Sequence, residues 1–251
     1  MEGVTHGRTE LHFHLLPDVD DGPVDDAAAI DLARRALRDG TTTVVCTPHA
    51  RFIADARDLS DRVGALRRTL QRAGVPLDVR PGAELMATDV PRVAAPALDA
   101  FSQGPPAARW LLLEAPLDPG GLDALYGAAA EVQERGFGVL LAHPERSPQL
   151  LDDEGGLDAL RDRGVLLQVN ATSLTGRHGE AARAAGLDLV RQGVVTVVAS
   201  DAHGPDRPPS LAAAVAQLRD HGIEDAERYV STAPRALLRD GIRSPLRARA
   251  A

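Results

Sequence analysis

Short runs of β-branched and aliphatic residues alternate with alanine- and arginine-rich stretches about seven times along this chain, and few folds accommodate that alternation. The runs predict strands at 10–14, 42–46, 77–81, 110–113, 138–142, 165–169 and 194–199. Helical spacing places helices at 25–38, 59–72, 90–102, 122–135, 157–163, 179–192 and 209–220. Gly40, Gly74, Gly136, Gly164 and Gly193 each follow a helical stretch, where a C-terminal cap needs a left-handed residue. Strand, helix, strand, repeated in this way, means a parallel α/β sheet, and at 251 residues closure into a barrel is the expected outcome. Residues 223–251 predict one or two short helices with a frayed end from 241, and residues 1–9 a loose polar leader. No linker, repeat or low-complexity block divides the chain, so 1–251 is expected to be a single domain.

In a parallel barrel the C-terminal strand ends share one rim, so the residues just after each strand decide the chemistry. His12 and His14 stand two apart in an apolar run, a spacing that puts both imidazoles on one face of a strand. Asp18, Asp20 and Asp21 come within the next ten residues and add oxygen donors. The later strands lead into His49, Glu84, Glu114, His143, Asn170 and the pair Asp201 and His203. Five of the eight histidines therefore fall at strand ends, whereas His6, His178 and His221 do not and read as surface residues. Scattered solvated histidines would not align with the strands, and the pattern implies a multinuclear metal centre. Nitrogen and carboxylate donors without thiolate select manganese, iron, zinc or magnesium. Clustered ions of that kind suit hydrolysis, above all of phosphate esters, because they bind phosphoryl oxygens and acidify water into hydroxide.

Composition removes several other function classes. All 28 basic residues are arginine, which excludes Schiff-base chemistry, a lysine phosphate loop and a carbamylated-lysine metal bridge. A net charge of −8 argues against a nucleic-acid binder. No apolar run is long enough to span a bilayer, and with one cysteine and no signal peptide a cytoplasmic protein is expected. Cys46 lies in a predicted strand interior, and Arg51 stands at i+5 from it instead of the i+6 of a thiol phosphatase loop. A covalent phosphocysteine is therefore not expected.

The donor series resembles the polymerase-and-histidinol-phosphatase (PHP) superfamily: His-x-His, Thr47-Pro48-His49, Gly82-x-Glu84, a histidine after the fifth strand and a closing Asp201-x-His203. Within it, Leu15-Leu16-Pro17-x-x-Asp20-Asp21-Gly22, His143-Pro144-Glu145-Arg146, Gln168-Val169-Asn170-Ala171-x-Ser173-Leu174-x-Gly176 and Ser200-Asp201-Ala202-His203 resemble the bacterial capsule-associated tyrosine-protein phosphatases of CpsB/YwqE type, from about Glu10 to Leu238. The resemblance implies a distorted seven-stranded β/α barrel with three divalent ions, manganese first among them. It implies that His12, His14, Glu84 and Asp201 hold one ion; Asp21, His49 and His203 a second; and Glu84, Glu114 and His143 a third, with Glu84 bridging. Arg146 and Arg207 match phosphate-binding arginines; each comes three or four residues after a metal-rim histidine, so its loop can return a guanidinium over the ions. The chain departs from the pattern at Glu10, where aspartate is usual, at Ala50, where a second histidine is usual, and at Ala115, where Glu-Phe-Pro is commoner.

The function so implied is a metal-dependent protein-tyrosine phosphatase linked to capsular or exopolysaccharide regulation, its substrate a phosphotyrosine protein such as a bacterial tyrosine kinase. A small-molecule phosphatase such as histidinol phosphatase shares the chemistry. An amidohydrolase without the lysine bridge fits less well. A non-catalytic metal-binding regulatory module is the reading from another class, and it predicts lost ligands where this chain keeps all nine.

Overall fold

The computed structural model of the protein describes residues 7–245. Eight strands are found among them: β1 (Arg8–Phe13), β2 (Thr41–Cys46), β3 (Asp78–Pro81), β4 (Glu84–Leu85), β5 (Trp110–Glu114), β6 (Gly138–Ala142), β7 (Leu166–Asn170) and β8 (Val195–Ala199). Every pairing of one strand with another is parallel, as the alternation requires. The expected parallel α/β architecture is present, but in place of a seven-stranded barrel eight strands form two sheets, ordered β1-β2-β3 and β4-β5-β6-β7-β8. Isolated parallel bridges, His49↔Glu84 and Phe13↔Ala202, join the sheets at both seams.

The extra strand, β4, lies just beyond the third predicted strand, which is found as β3. Pro81 ends the pairing of β3 with β2, and the chain crosses at Gly82-Ala83 to pair with β5. Only glycine fits the crossing, since a Cβ at 82 would stand 2.6 Å from the Val45 side chain. Both seams lie at the C-terminal ends of strands, where the ladder is loose and side chains can converge.

Helices cover the outer faces. Asp26–Arg38 is capped by Asp25, which accepts the Ala28 N–H, and buries Ala29, Leu32, Ala33 and Ala36 at helical spacing. Ala56–Arg72 starts earlier than expected because Asp55 accepts the N–H groups of Arg57 and Asp58. The helix expected at 90–102 is two pieces, Val90–Arg92 and Ala95–Phe101: Val93 and Ala94 are extended, and Pro96 lacks the N–H that a continuous helix would need.

The chain ends are more ordered than expected within the described residues. Arg8 and Thr9 belong to β1, while residues 1–6, with His6, lie outside the described residues. Trp110, Leu237 and Ile242 pack together at the opposite end of the sheets from the site, with the Trp110 indole donating to the Leu237 carbonyl at 3.1 Å. Residues 246–251 also lie outside the described residues. No helix among the described residues is long and apolar enough to cross a membrane.

Candidate metal centre

All nine expected donors meet at the C-terminal rim. His12 lies within β1, one residue before its end, and His14 stands just beyond it, held by its backbone N–H on the Ala202 carbonyl at 2.9 Å. Glu84 lies in β4, Glu114 ends β5, and His49, His143, Asp201 and His203 come after β2, β6 and β8. Asp18, His143 and Asp201 have positive φ among the described non-glycine residues, so two of these three strained positions are expected ligands. The left-handed turn at His143 and Asp201 swings each side chain back over the rim instead of onward into the next helix.

Four histidines surround one buried carboxylate. His12 Nε2, His49 Nδ1 and His143 Nε2 lie 3.2, 3.2 and 3.3 Å from Glu84, and His14 Nε2 lies 3.4 Å away. Asp201 Oδ1 is 3.2 Å from His12 Nε2, and Asp21 Oδ1 is 3.1 Å from His203 Nε2. Ligand atoms close enough to share an ion come from four groups: His14-Asp21-His49-His203, His12-His14-Glu84, His12-His143-Asp201 and His49-Glu84-Glu114. These groups overlap at His12, His14, His49 and Glu84, so they differ in detail from the three sets implied by the resemblance.

The protonation pattern has a readable cause. Asp201 is a carboxylate and can only accept, so the Asn170 amide must turn its Nδ2–H₂ toward it, at 2.8 Å. Asn170 Oδ1 then faces Gln168 Nε2 at 2.8 Å, which leaves Gln168 Oε1 to accept from His12 Nδ1 at 3.0 Å. His12 therefore carries its proton on Nδ1. His14 Nδ1 likewise faces Asp20 Oδ2 at 2.7 Å. Both Nε2 atoms are left pointing at one another, 3.3 Å apart. Two ring nitrogens that close, both also beside Glu84, call for positive charge between them, either a shared proton or a bound cation. His203 Nε2 and His49 Nδ1 are buried, lie close to carboxylates and lack hydrogen-bond geometry. The residues present thus fit a group of divalent ions.

Electrostatics point the same way. Burial, reinforced by the charge of Glu84, pushes Glu114 up to about 8. Burial would depress His12 and His14, but Glu84 and Asp201 raise the first, while Asp20 and Glu84 raise the second to about 10. Burial opposes ionisation of Glu84 as well, yet its histidine neighbours hold it well below the usual carboxylate range. Crowded carboxylates that require added positive charge are what a cation site presents before loading.

Both expected arginines reach this rim. Arg146 donates to Asp201 Oδ2 at 3.2 Å; Arg207 donates to Asp21 Oδ2 at 3.1 Å and Asp201 Oδ1 at 3.0 Å. Neither pairs with its sequence neighbour, Glu145 or Asp206. Cys46 ends β2, is fully buried and is pushed up to about 12 by that burial. His178, read from sequence as a surface residue, is a correction: it is half-buried and lines a cavity of about 740 Å³ together with Arg146 and Arg207. His221 is also half-buried, its Nδ1 on the Gln217 carbonyl at 2.8 Å.

Sequence reading did not assign the residues that hold the donors. Asp20, counted only as an oxygen donor, orients His14 and accepts the His49 N–H at 3.0 Å. Gln168 and Asn170 stand two apart on β7, a spacing that could have placed them on one face. Glu145 is buried and accepts from the Asn170 N–H and Ser173 Oγ–H, fixing the turn after β7. Gln168→Leu is expected to weaken metal binding by about 10- to 100-fold with the fold intact, because it frees the His12 tautomer. Competition against a fluorescent chelator measures this, and an unchanged affinity would show that the amide chain does not set the tautomer.

A family model for CpsB/CapC, capsular polysaccharide synthesis, matches residues 8–239. The tyrosine-protein phosphatase YwqE of Bacillus subtilis (strain 168) is 30% identical over 204 residues, 77% of this chain and 76% of the relative. The tyrosine-protein phosphatase CpsB of Streptococcus pneumoniae is 24% identical over 246 residues, 92% of this chain and 98% of the relative. A solved chain from the crystal structures of YwqE from B. subtilis and CpsB from S. pneumoniae, metal-dependent tyrosine phosphatases, superposes with a TM-score of 0.75 and 26% identity, covering 94% of this chain and 97% of that one. Every donor from His12 to His203 falls inside the matched span, and the chain belongs to the CpsB/CapC family of capsular polysaccharide synthesis proteins.

Proposed function

We propose that this protein is a metal-dependent phosphomonoesterase that removes phosphate from tyrosine in proteins, in the control of capsule or exopolysaccharide synthesis, with a tyrosine kinase as a fitting substrate and the cytoplasm as its place of action. One observation carries the reading: two guanidinium groups stand over a nest of nine nitrogen and carboxylate donors, beside an open cavity. The named activity of the relatives supports it. Three ions, manganese first among the candidates, are proposed on the sets His12, His14, Glu84, Asp201; Asp21, His49, His203; and Glu84, Glu114, His143. Glu84, common to two overlapping donor groups, is the proposed bridge. When bound, such ions polarise the phosphoryl oxygens and acidify a water for attack on phosphorus.

The residues of the chain do the rest. Arg146 and Arg207 grip the equatorial phosphate oxygens, for which a planar guanidinium is the matching partner, and hold phosphorus in line. Asp20, Gln168 and Asn170 keep the imidazole protons on the outer nitrogens. Leu117, Pro148 and Leu151 give the cavity an apolar wall able to take a tyrosyl ring. Ala115 is fully buried and borders a second cavity of about 380 Å³ that also reaches His49 and Glu114.

The test compares phosphotyrosyl peptides, phosphoseryl peptides and histidinol phosphate on manganese-loaded enzyme, wild type and Cys46→Ser. Phosphotyrosyl peptides are expected to be preferred, Cys46→Ser to keep most activity, and chelation to abolish it. Faster turnover of histidinol phosphate would shift the reading to a small-molecule phosphatase. Activity that survives chelation but not thiol alkylation would overturn the mechanism.

A further inference from the structure

The cavity beside the metal centre holds a third arginine that the proposed chemistry does not use. Arg177 lines it along with Arg146 and Arg207, yet its side chain is exposed and makes no ion pair or hydrogen bond among the described residues. Arg146 and Arg207, by contrast, are both bound to carboxylates of the centre.

Arg177 is nevertheless held firmly at its root. It lies in the turn between Gly176 and Gly179, whose φ of +85° and +91° place both in the left-handed region that favours glycine. Backbone N–H groups of Thr175, Gly176, Arg177 and Gly179 donate to Ala171, Ser173, Thr172 and Gly176 at 2.8–3.1 Å, and Ser173 is tied to buried Glu145. The turn fixes where the Arg177 side chain starts, beside the cavity, and no contact of the fold among the described residues uses its guanidinium. His178, next in the turn, is pushed down to about 4, chiefly by burial and then by the charge of Arg146, so it adds no positive charge of its own at neutral pH. Asp152 and Asp206, both exposed, also border the cavity, and neither pairs with Arg177.

We infer that Arg177 forms an anion subsite at the mouth of the cavity, which recognises a second negative group, carboxylate or phosphate, next to the phosphotyrosine in the substrate. The subsite rests on the phosphotyrosine reading of the proposed function. The cavity then reads a peptide in three parts: phosphate on Arg146 and Arg207, ring against Leu117 and Pro148, neighbouring anion on Arg177. Such a contact favours acidic segments that the overall charge of the protein would otherwise repel.

Three phosphotyrosyl peptides test it on the metal-loaded enzyme: neutral flanks, glutamate flanks and a second phosphotyrosine. Wild type is expected to prefer the two anionic peptides by about 10-fold in kcat/KM, a preference that shrinks with added salt. Arg177→Ala should erase the preference, Arg177→Glu should reverse it, and Arg177→Lys should keep part of it. Whichever anionic peptide is preferred identifies the natural anion. Turnover without an acidic preference in wild type, or equal loss on all three peptides in Arg177→Ala, would overturn the subsite alone. Absence of turnover on every phosphotyrosyl peptide, with p-nitrophenyl phosphate still hydrolysed, would overturn the substrate reading and the subsite with it.

Discussion

Replacing Glu84 with alanine is expected to remove about two of three ions and abolish phosphatase activity, the largest effect of any single ligand change. Glu84 is 1% exposed and has four imidazole nitrogens within 3.4 Å. No other carboxylate of the site has as many. Glu114, with His143 at 4.0 Å and a side chain 14% exposed, sits at the edge, so Glu114→Ala should cost fewer ions. Removing Glu84 also takes the negative partner from His12 and His14, whose raised protonation depends on it. Leaving a buried charge uncompensated typically costs about 3–5 kcal/mol, so the metal-free variant should unfold at lower denaturant. Elemental analysis of both variants after reconstitution, with circular dichroism to check folding, decides the matter. Equal metal loss in the two would count against a bridging role for Glu84.

Arg146→Ala and Arg207→Ala are expected to keep metal content and fold while kcat/KM falls by about 10²-fold or more, the scale for losing transition-state charge stabilisation. The surface-pair alternative, Arg146 with Glu145 and Arg207 with Asp206, is not what the chain adopts, since both guanidiniums reach Asp201 and Arg207 also reaches Asp21. A second alternative is open to the same experiment: the arginines could serve only to neutralise those carboxylates. In that case the alanine variants would lose ions in step with activity. If instead they grip the phosphate, metal content stays and lysine rescues only in part, because an ammonium lacks the two-pronged contact. Wild-type kinetics in either variant, with ions intact, would show that the arginine does not act on the phosphate.

Much of the site was legible in sequence because most donors stand at or just beyond the C-terminal end of a strand, and parallel strands bring those ends to a common rim. That single rule places His12, His49, Glu114, His143 and Asp201 together without knowledge of any distance. It does not reveal β4, because two residues, Glu84–Leu85, are too short for any periodicity to show. Nor does it reveal the crossing at Gly82, which depends on the Val45 side chain of another strand. The chain from His12 through Gln168 and Asn170 to Asp201 spans a separation of 156 residues at its first link, so only the folded register brings its members together. His178 was misread because its stretch carries the polarity of a surface loop; its burial comes from the turn that Gly176 and Gly179 shape beside Arg146.

The most direct test of the central claim is to count ions and turnover on the same manganese-reconstituted sample, by elemental analysis and by hydrolysis of a phosphotyrosyl peptide. About three ions per chain are expected from the nine converging donors, with activity rising only as the last of them is filled. Full activity at no more than one ion per chain would contradict the account.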